Sequence, residues 1–362
     1  MRVKIFCLVV MAGIIAACTG GNNTPVTDAV ICEGDFLVQS PQALAAISHC
    51  QNITGQLTLQ AINTEDLTAL KQLRAVGSLT LMDNAHLKNL KGLTALHTIA
   101  GDLHVAYNPA LTDLTGLPSL AQIFGDIKIH ENNALNNLDG LHAVVDVMGG
   151  LYLYQNPELQ RLTTFTALSQ LYDLHLADLP KLTTIAGLST LTQIENRIEC
   201  DFNHQLKNLT GLQGVKTVGG DVIFNFNNGL TSLDGLQGLT AIGGRLVINN
   251  NGGLVSLQGL HHVQTVGQRV DIRSNYLLTN LQGLNQLARI ETELWIWLND
   301  HLKSLQGLDN LAFVGGDIEV IENLQLTSLE GAPKLAHIGG DVTIADNPLL
   351  PNGSQFPSAS PP

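Results

Sequence analysis

The stretch GDLHVAYNPALTDLTGLPSLAQIF, residues 101–124, holds one full period of a pattern that recurs along most of the chain. It opens with a short strand of the form Gly-Asp-apolar-x-apolar, whose first apolar residue, here Leu103, defines position n. That position returns at Leu57, Leu79, Leu103, Ile127, Leu151, Leu174, Ile198, Val222, Leu246, Val270, Leu294, Ile318 and Val342. The intervals are 22, 24, 24, 24 and 23 residues, followed by seven of 24. Such a register identifies a repeat architecture in which each unit buries its apolar face against the next.

Within the quoted period Val105, Leu111, Leu114, Leu117, Leu120 and Ile123 join Leu103 as aliphatic positions. Seven inward positions in 24 residues are more than one helix face can present. Spacings of two and three, with glycine at n+13 (Gly92, Gly116, Gly140, Gly211, Gly235, Gly259, Gly283 and Gly307), describe short strands joined by tight corners. The predicted fold is a β-rich, leucine-rich solenoid of about 13 coils of 24 residues spanning 57–350.

Position n+5 is asparagine in eleven coils: Asn84, Asn108, Asn132, Asn156, Asn203, Asn227, Asn251, Asn275, Asn299, Asn323 and Asn347. An amide is both donor and acceptor, so a stacked column of asparagines can satisfy corner backbone groups and bond along itself. This ladder is read as structural. The 23-residue interval ends at Leu174, and the coil beginning there carries Asp178-Leu179-Pro180 where its neighbours place asparagine. The segment 174–197 is therefore the expected kink, or a boundary between two sub-solenoids.

Composition follows from this plan. Of 362 residues, 44% are hydrophobic but only 14% charged and 4% aromatic, against about 25% charged in ordinary soluble domains. The formal net charge of −13 argues against nucleic acid or anionic lipid held on a basic surface. No internal apolar run reaches the roughly 20 residues of a membrane span.

The N-terminus reads as an address. Arg2 and Lys4 precede an apolar run from Ile5 to Ala17, too short to span a bilayer and suited to a signal peptide over 1–17. Ile15-Ala16-Ala17-Cys18 resembles the lipobox of bacterial lipoproteins. The resemblance implies cleavage before Cys18 and lipidation of its thiol; an ordinary secretory signal with an incidental cysteine is the alternative. Thr19 at the next position implies, again by resemblance, sorting to the outer membrane. The expected location is thus the bacterial envelope, lipid-anchored at the outer membrane or cell surface. Residues 18–31 read as the lipidated cysteine and a flexible tether. Cys7 leaves with the signal, and Cys200 falls at an inward strand position. In an oxidising compartment Cys32 and Cys50 are then the expected disulfide, within a cap over 32–56.

Cys32-Glu-Gly-Asp-Phe-Leu-Val, Leu44-Ala-Ala-Ile-Ser-His-Cys50 and Ile53-Thr-Gly-Gln-Leu-Thr-Leu59 resemble the start of a receptor L domain. That is the leucine-rich right-handed β-helix of insulin-receptor and epidermal-growth-factor-receptor ectodomains. The repeat Asn-Pro-x-Leu-x-x-Leu-x-Gly-Leu, clearest at 108–117, resembles related bacterial lipoproteins and fungal cell-wall proteins. The resemblance covers about 32–350 and implies that the solenoid is right-handed. It also implies that the two cysteines pair and that a short helix between them caps the first coil. Two features depart from the family: no cysteine-rich module separates two L domains, and no cysteine cap closes the C-terminus. Residues 351–362 read as a disordered tail. Solenoid ends need capping, so a partner, a second copy of the chain or this tail should cover Leu349 and Leu350.

No nucleophile elbow, phosphate loop or zinc motif occurs, and neither cofactor nor metal is expected. Glu199, Asp201, Asp271 and Glu319 occupy outward strand positions on different coils, without an evident convergent set. Aspartate recurs at n−1 (Asp102, Asp126, Asp221, Asp317 and Asp341), as turn chemistry favours; calcium ligation is the weaker reading. Strand alternation places n+1 and n+3 outside. This exposes His104, Lys128, Tyr152 and His175 at n+1 with His130 and Tyr154 at n+3. It also exposes Trp295 and Trp297, the only two tryptophans, beside Asp271 and Arg273. Because His104 and His130 are offset along their strands, zinc binding between them is not expected. Exposed aromatics beside arginine fit a protein contact or sugar stacking. The functional expectation is a non-enzymatic surface lipoprotein whose solenoid binds a protein or glycan ligand. The alternatives are a β-helix glycan-processing enzyme and a structural spacer that self-associates through its uncapped C-terminal coil.

Overall fold

The computed structural model describes residues 29–356. The expected signal segment, Cys18 and most of the tether lie outside the described residues. The described chain is a parallel β-solenoid of about 13 turns with a single short α-helix.

The quoted period shows how one turn is made. Leu103–Ala106 is a strand, and Leu103 and Val105 point into the core with no exposed surface. Tyr107 turns the corner with φ 57°, and Asn108 is buried immediately after it. Leu111, Leu114, Leu117 and Leu120 then enter the core at intervals of three, and a second strand, Gln122–Ile123, completes the turn. Residue 103 pairs with 127, and Gln122 pairs with Asp146, both in parallel. Stacking these turns gives one aliphatic column running from Val38 to Phe356. Truncating one of its leucines to alanine costs about 2–5 kcal/mol.

Two polar columns hold the corners. In the n+5 ladder the Asn132 Oδ1 accepts from both N (3.1 Å) and Nδ2 (3.1 Å) of Asn108, while Asn132 Nδ2 donates to the carbonyls of Val105 and His130. The ladder amides thus add hydrogen bonds to backbone carbonyls of the strand and corner. The n−1 aspartates form a shorter version: Asp102 Oδ1 accepts from Asp126 N at 2.9 Å, Asp126 Oδ1 from Gly150 N at 2.9 Å, and Asp221 Oδ1 from Arg245 N at 2.7 Å. Their recurrence is explained by the corner hydrogen bond. Glycine is required at n+13 because the turns approach closely there. Gly116 has φ 130°, and a Cβ on it would lie 2.2 Å from the Leu90 carbonyl.

Four turns depart from the two-strand plan. Asn52–Gln60, Ala75–Met82, Gln170–Ala177 and Gln193–Asp201 are long continuous strands, with 3-10 turns at Thr68–Leu70 and Ala186–Leu188. The first pair brackets the 22-residue interval, the second begins where the 23-residue interval ends, and each pair contains a register slip. The expected irregularity at 174–197 is thus a local change of turn shape. Leu151 pairs with Leu174 and Leu174 with Ile198, so the sheet runs through it.

At the N-terminal end Cys32 and Cys50 form a disulfide. The helix Pro41–Ala46 lies between them, capped by Ser40 Oγ accepting from Ala43 N and anchored by buried Leu44. Cys200 is a free, fully buried thiol. The other end is less closed: Val342 is 43% and Leu349 57% exposed. Part of the segment expected to be disordered nevertheless packs, because Phe356 is buried against the last coil.

Candidate functional site

The tryptophan patch is a closed stack. The guanidinium of Arg269 lies 3.8 Å from the Trp295 ring centre, and that of Arg273 lies 4.7 Å from Trp295 and 4.3 Å from Trp297. The two indoles stack at 5.4 Å. Strand alternation assigns Asp271 to the outer face, yet it is only 3% exposed. Arg273 Nη2 reaches its Oδ2 at 2.8 Å, and Arg269 Nε lies 3.6 Å away. Both indole N–H groups are buried without a partner. The two arginines occupy the stacking surfaces that an incoming ligand would need, so this patch is built for its own cohesion.

The histidine–tyrosine patch is brought together more tightly than its strand offsets imply. His104 Nε2 lies 2.8 Å from His130 Nε2, despite sitting two register positions apart. Side chains lean along the strand and close the gap. The column continues as His130 stacked on Tyr154 at 4.4 Å, and Tyr154 against His175 at 6.2 Å. Burial lowers the His104 pKa, and the neighbouring His130 and Lys128 lower it further. Burial also lowers that of His130, against the opposing charge of Glu131. Tyr152 is engaged internally, its hydroxyl donating to Asp173 at 2.7 Å; burial, then this bond, raises its pKa. Lys128 is paired with Asp126 at 2.7 Å.

Beside this patch lies a row that strand alternation does not reveal. Position n+4 turns the corner in the left-handed region in every coil, from Ala61 (φ 51°) to Asp346 (φ 55°). Asparagine and aspartate tolerate that conformation; bulky residues are strained in it. Asp83, Asp178, Asn250 and Asp346 fit this preference. Tyr107, Phe202 and Phe226 do not, and all three are at least 40% exposed. Phe202 and Phe226 stack at 4.6 Å with planes 2° apart. Large rings placed on strained backbone and left in solvent point to a use for the rings themselves.

Two shallow depressions run between these rings. One, of about 460 Å³, is lined by Tyr107, Pro109, Glu131, Asn133, Gln155, Pro157 and Asp178. The other, of about 470 Å³, is lined by Tyr154, Gln155, His175, Ala177, Asp178, Phe202 and His204. Gln155 and Asp178 belong to both, so they form one groove across five coils, about 19 Å at strand spacing. Its lining combines aromatic rings with amides and carboxylates.

The outward carboxylates converge at one end of this groove, contrary to the sequence expectation. Glu199 and Asp201 share a strand, and His175 pairs with Glu199 across the sheet. Ligand atoms of the three lie within 4.8 Å of one another. Burial, then the adjacent Glu199 charge, pushes Asp201 up to about 7, while burial lowers His175. Glu319 lies away from this cluster, five coils beyond Glu199 and beside Trp295. Cys32, His49 and Cys50 also cluster, but their sulfurs are spent on the disulfide.

Residues 49–165 match the family model of the receptor L domain. No curated protein matches the chain at a significant level. Among solved structures, the crystal structure of a TLR13–ssRNA13 complex is similar at 14% identity, covering 86% of this chain and 62% of that one, with a TM-score of 0.22. The chain thus spans under two thirds of that structure's length, and so loose a superposition transfers nothing between the two. The receptor L-domain pattern is therefore carried by 49–165, within a longer leucine-rich parallel solenoid.

Proposed function

We propose that this protein is a non-catalytic recognition module that binds a neutral or amino-sugar glycan along the groove between Tyr107 and Phe202. The observation that carries this reading is the placement of exposed Tyr107 and Phe202 on left-handed corner positions, at the two ends of a groove that also holds amides and carboxylates. Sugar rings present C–H faces that stack on aromatic rings and hydroxyls that bond to amides and carboxylates. Glu131, Asp178, Glu199 and Asp201 disfavour polyanionic glycans by like-charge repulsion.

We further propose that the module acts at the bacterial envelope, exported by residues 1–17 and held by a lipid on Cys18. The Cys32–Cys50 disulfide supports export. No helix among the described residues is long and apolar enough to cross a membrane, so attachment in this reading rests on the lipid. Screening the purified chain against immobilised neutral, amino-sugar and polyanionic polysaccharides tests the assignment. Retention on one of the first two classes, without release of new reducing ends, is expected. Retention only on polyanions, or cleavage of any of the polymers, would contradict it.

A further inference from the structure

We propose that His175, Glu199 and Asp201 form a binding site for one divalent transition-metal ion of the zinc class. The site borders the glycan groove, but its test, binding of the metal alone, does not depend on the glycan reading.

Three features of the cluster support it. The three side chains project from one sheet face, on adjacent strands whose register is fixed by continuous pairing from Asp173–Arg197 to Ala177–Asp201. Their ligand atoms lie within 4.8 Å of one another. A tetrahedral zinc site has ligand–ligand edges of roughly 3.3 Å, so small side-chain rotations suffice to close it. The half-buried His175 ring is held by contacts with Tyr152 and Tyr154, both at 6.2 Å, and no hydrogen bond or ion pair engages its nitrogens.

The surroundings are organised as metal sites require. The Asn225 N–H donates to Asp201 Oδ1 at 3.1 Å and orients that carboxylate. Arg197 Nη1 contacts Glu199 Oε2 at 3.0 Å, and Glu199 also shares a hydrogen bond with Asp201, whose proton a bound cation would displace. Loss of that proton leaves two carboxylates beside one guanidinium, a net negative charge that a divalent ion offsets. The donor set selects the ion: imidazole favours zinc and its neighbours over calcium, which takes 6–8 oxygen ligands. Three protein ligands leave a fourth position for water or a ligand hydroxyl. That position faces the groove, because His175 lines it.

The test is equilibrium dialysis and calorimetry of the full chain with Zn²⁺, Mn²⁺ and Ca²⁺ alone. His175→Gln, Glu199→Gln and Asp201→Asn are measured beside the wild type. We expect one equivalent of zinc, weaker manganese and no stoichiometric calcium. Each substitution should lower zinc affinity by about tenfold or more. The Co²⁺-loaded wild type should show the visible spectrum of a nitrogen- and oxygen-ligated ion, which His175→Gln abolishes. Far-ultraviolet circular dichroism identifies any variant that does not fold, and the remaining two then carry the comparison. Absence of stoichiometric zinc in the wild type overturns the proposal. So does equal affinity in the folded variants, which would place the ion on other histidines such as the adjacent His261 and His262.

Discussion

Asn203 should follow Asn156 in the amide ladder, but Leu179 stands between them, and the buried Asn203 Oδ1 accepts no hydrogen bond. Elsewhere each rung's oxygen takes the N–H of the rung before it, as Asn251 does for Asn227 and Asn275 for Asn251. Equivalent residues therefore carry unequal loads. Asn132→Ala removes five side-chain hydrogen bonds, whereas Asn203→Ala removes the single bond to Leu176 O. Urea unfolding should show Asn132→Ala to be the more destabilising by about 2 kcal/mol or more, at about 1 kcal/mol net per bond. Equal costs would mean that the column does not act as a ladder.

The tryptophans should matter for stability and little for binding. Trp295→Ala/Trp297→Ala removes the rings between Arg269 and Arg273 and leaves the pair of arginines around Asp271 without cover. The expected cost is about 2–4 kcal/mol, read as a lower midpoint in urea, with retention on the glycan matrix unchanged. A stable double variant that no longer binds would return the site to this face.

Acid should loosen the His104–His130 pair. Both residues titrate below the ordinary 6.5 because burial disfavours the charged form. Asp102, Lys128, Glu131, Tyr107 and Tyr154 are the charged and titratable groups facing the pair. In the window from about 6.5 down to the lowered folded values, the unfolded chain binds more protons. Stability should therefore fall as pH drops from 7.5 to 5. Replacing both histidines with glutamine should flatten that slope in parallel urea titrations, and an unchanged slope would assign it to other groups.

The Cys32–Cys50 crosslink closes a loop with a sequence separation of 18. Reducing it, or making Cys32→Ala/Cys50→Ala, should cost about 3 kcal/mol. Hydrogen exchange should show the loss first around the helix Pro41–Ala46, because that helix is the cap the bridge ties down. Unchanged protection there would mean that burial of Leu44 is enough to hold the cap.

The sequence carries the scaffold clearly because burial repeats with the coil. Leu103, Leu111 and Leu120 are core in the structure for the same reason that they recur in the sequence. The binding surface is less legible. Alternation tells which face Asp271 and Trp295 occupy, but not that Arg269 and Arg273 fold over them. The n+4 row escapes a reading based on strands, since it lies at a corner. Its signal is present all the same: a column holding Asp83, Asp178, Asn250 and Asp346 marks a left-handed position, and Tyr107, Phe202 and Phe226 stand out within it. The convergence of His175, Glu199 and Asp201 is legible once register is counted, because Glu199 lies 24 residues after His175 and two before Asp201.

The affinity of Tyr107→Ala/Phe202→Ala for the glycan retained in the screen tests the groove most directly. Two lost stacking rings should weaken binding about 10–100-fold with the urea midpoint little changed, since Tyr107 is 42% and Phe202 43% exposed. Undiminished affinity in this folded variant would contradict the assignment of the groove as the recognition site.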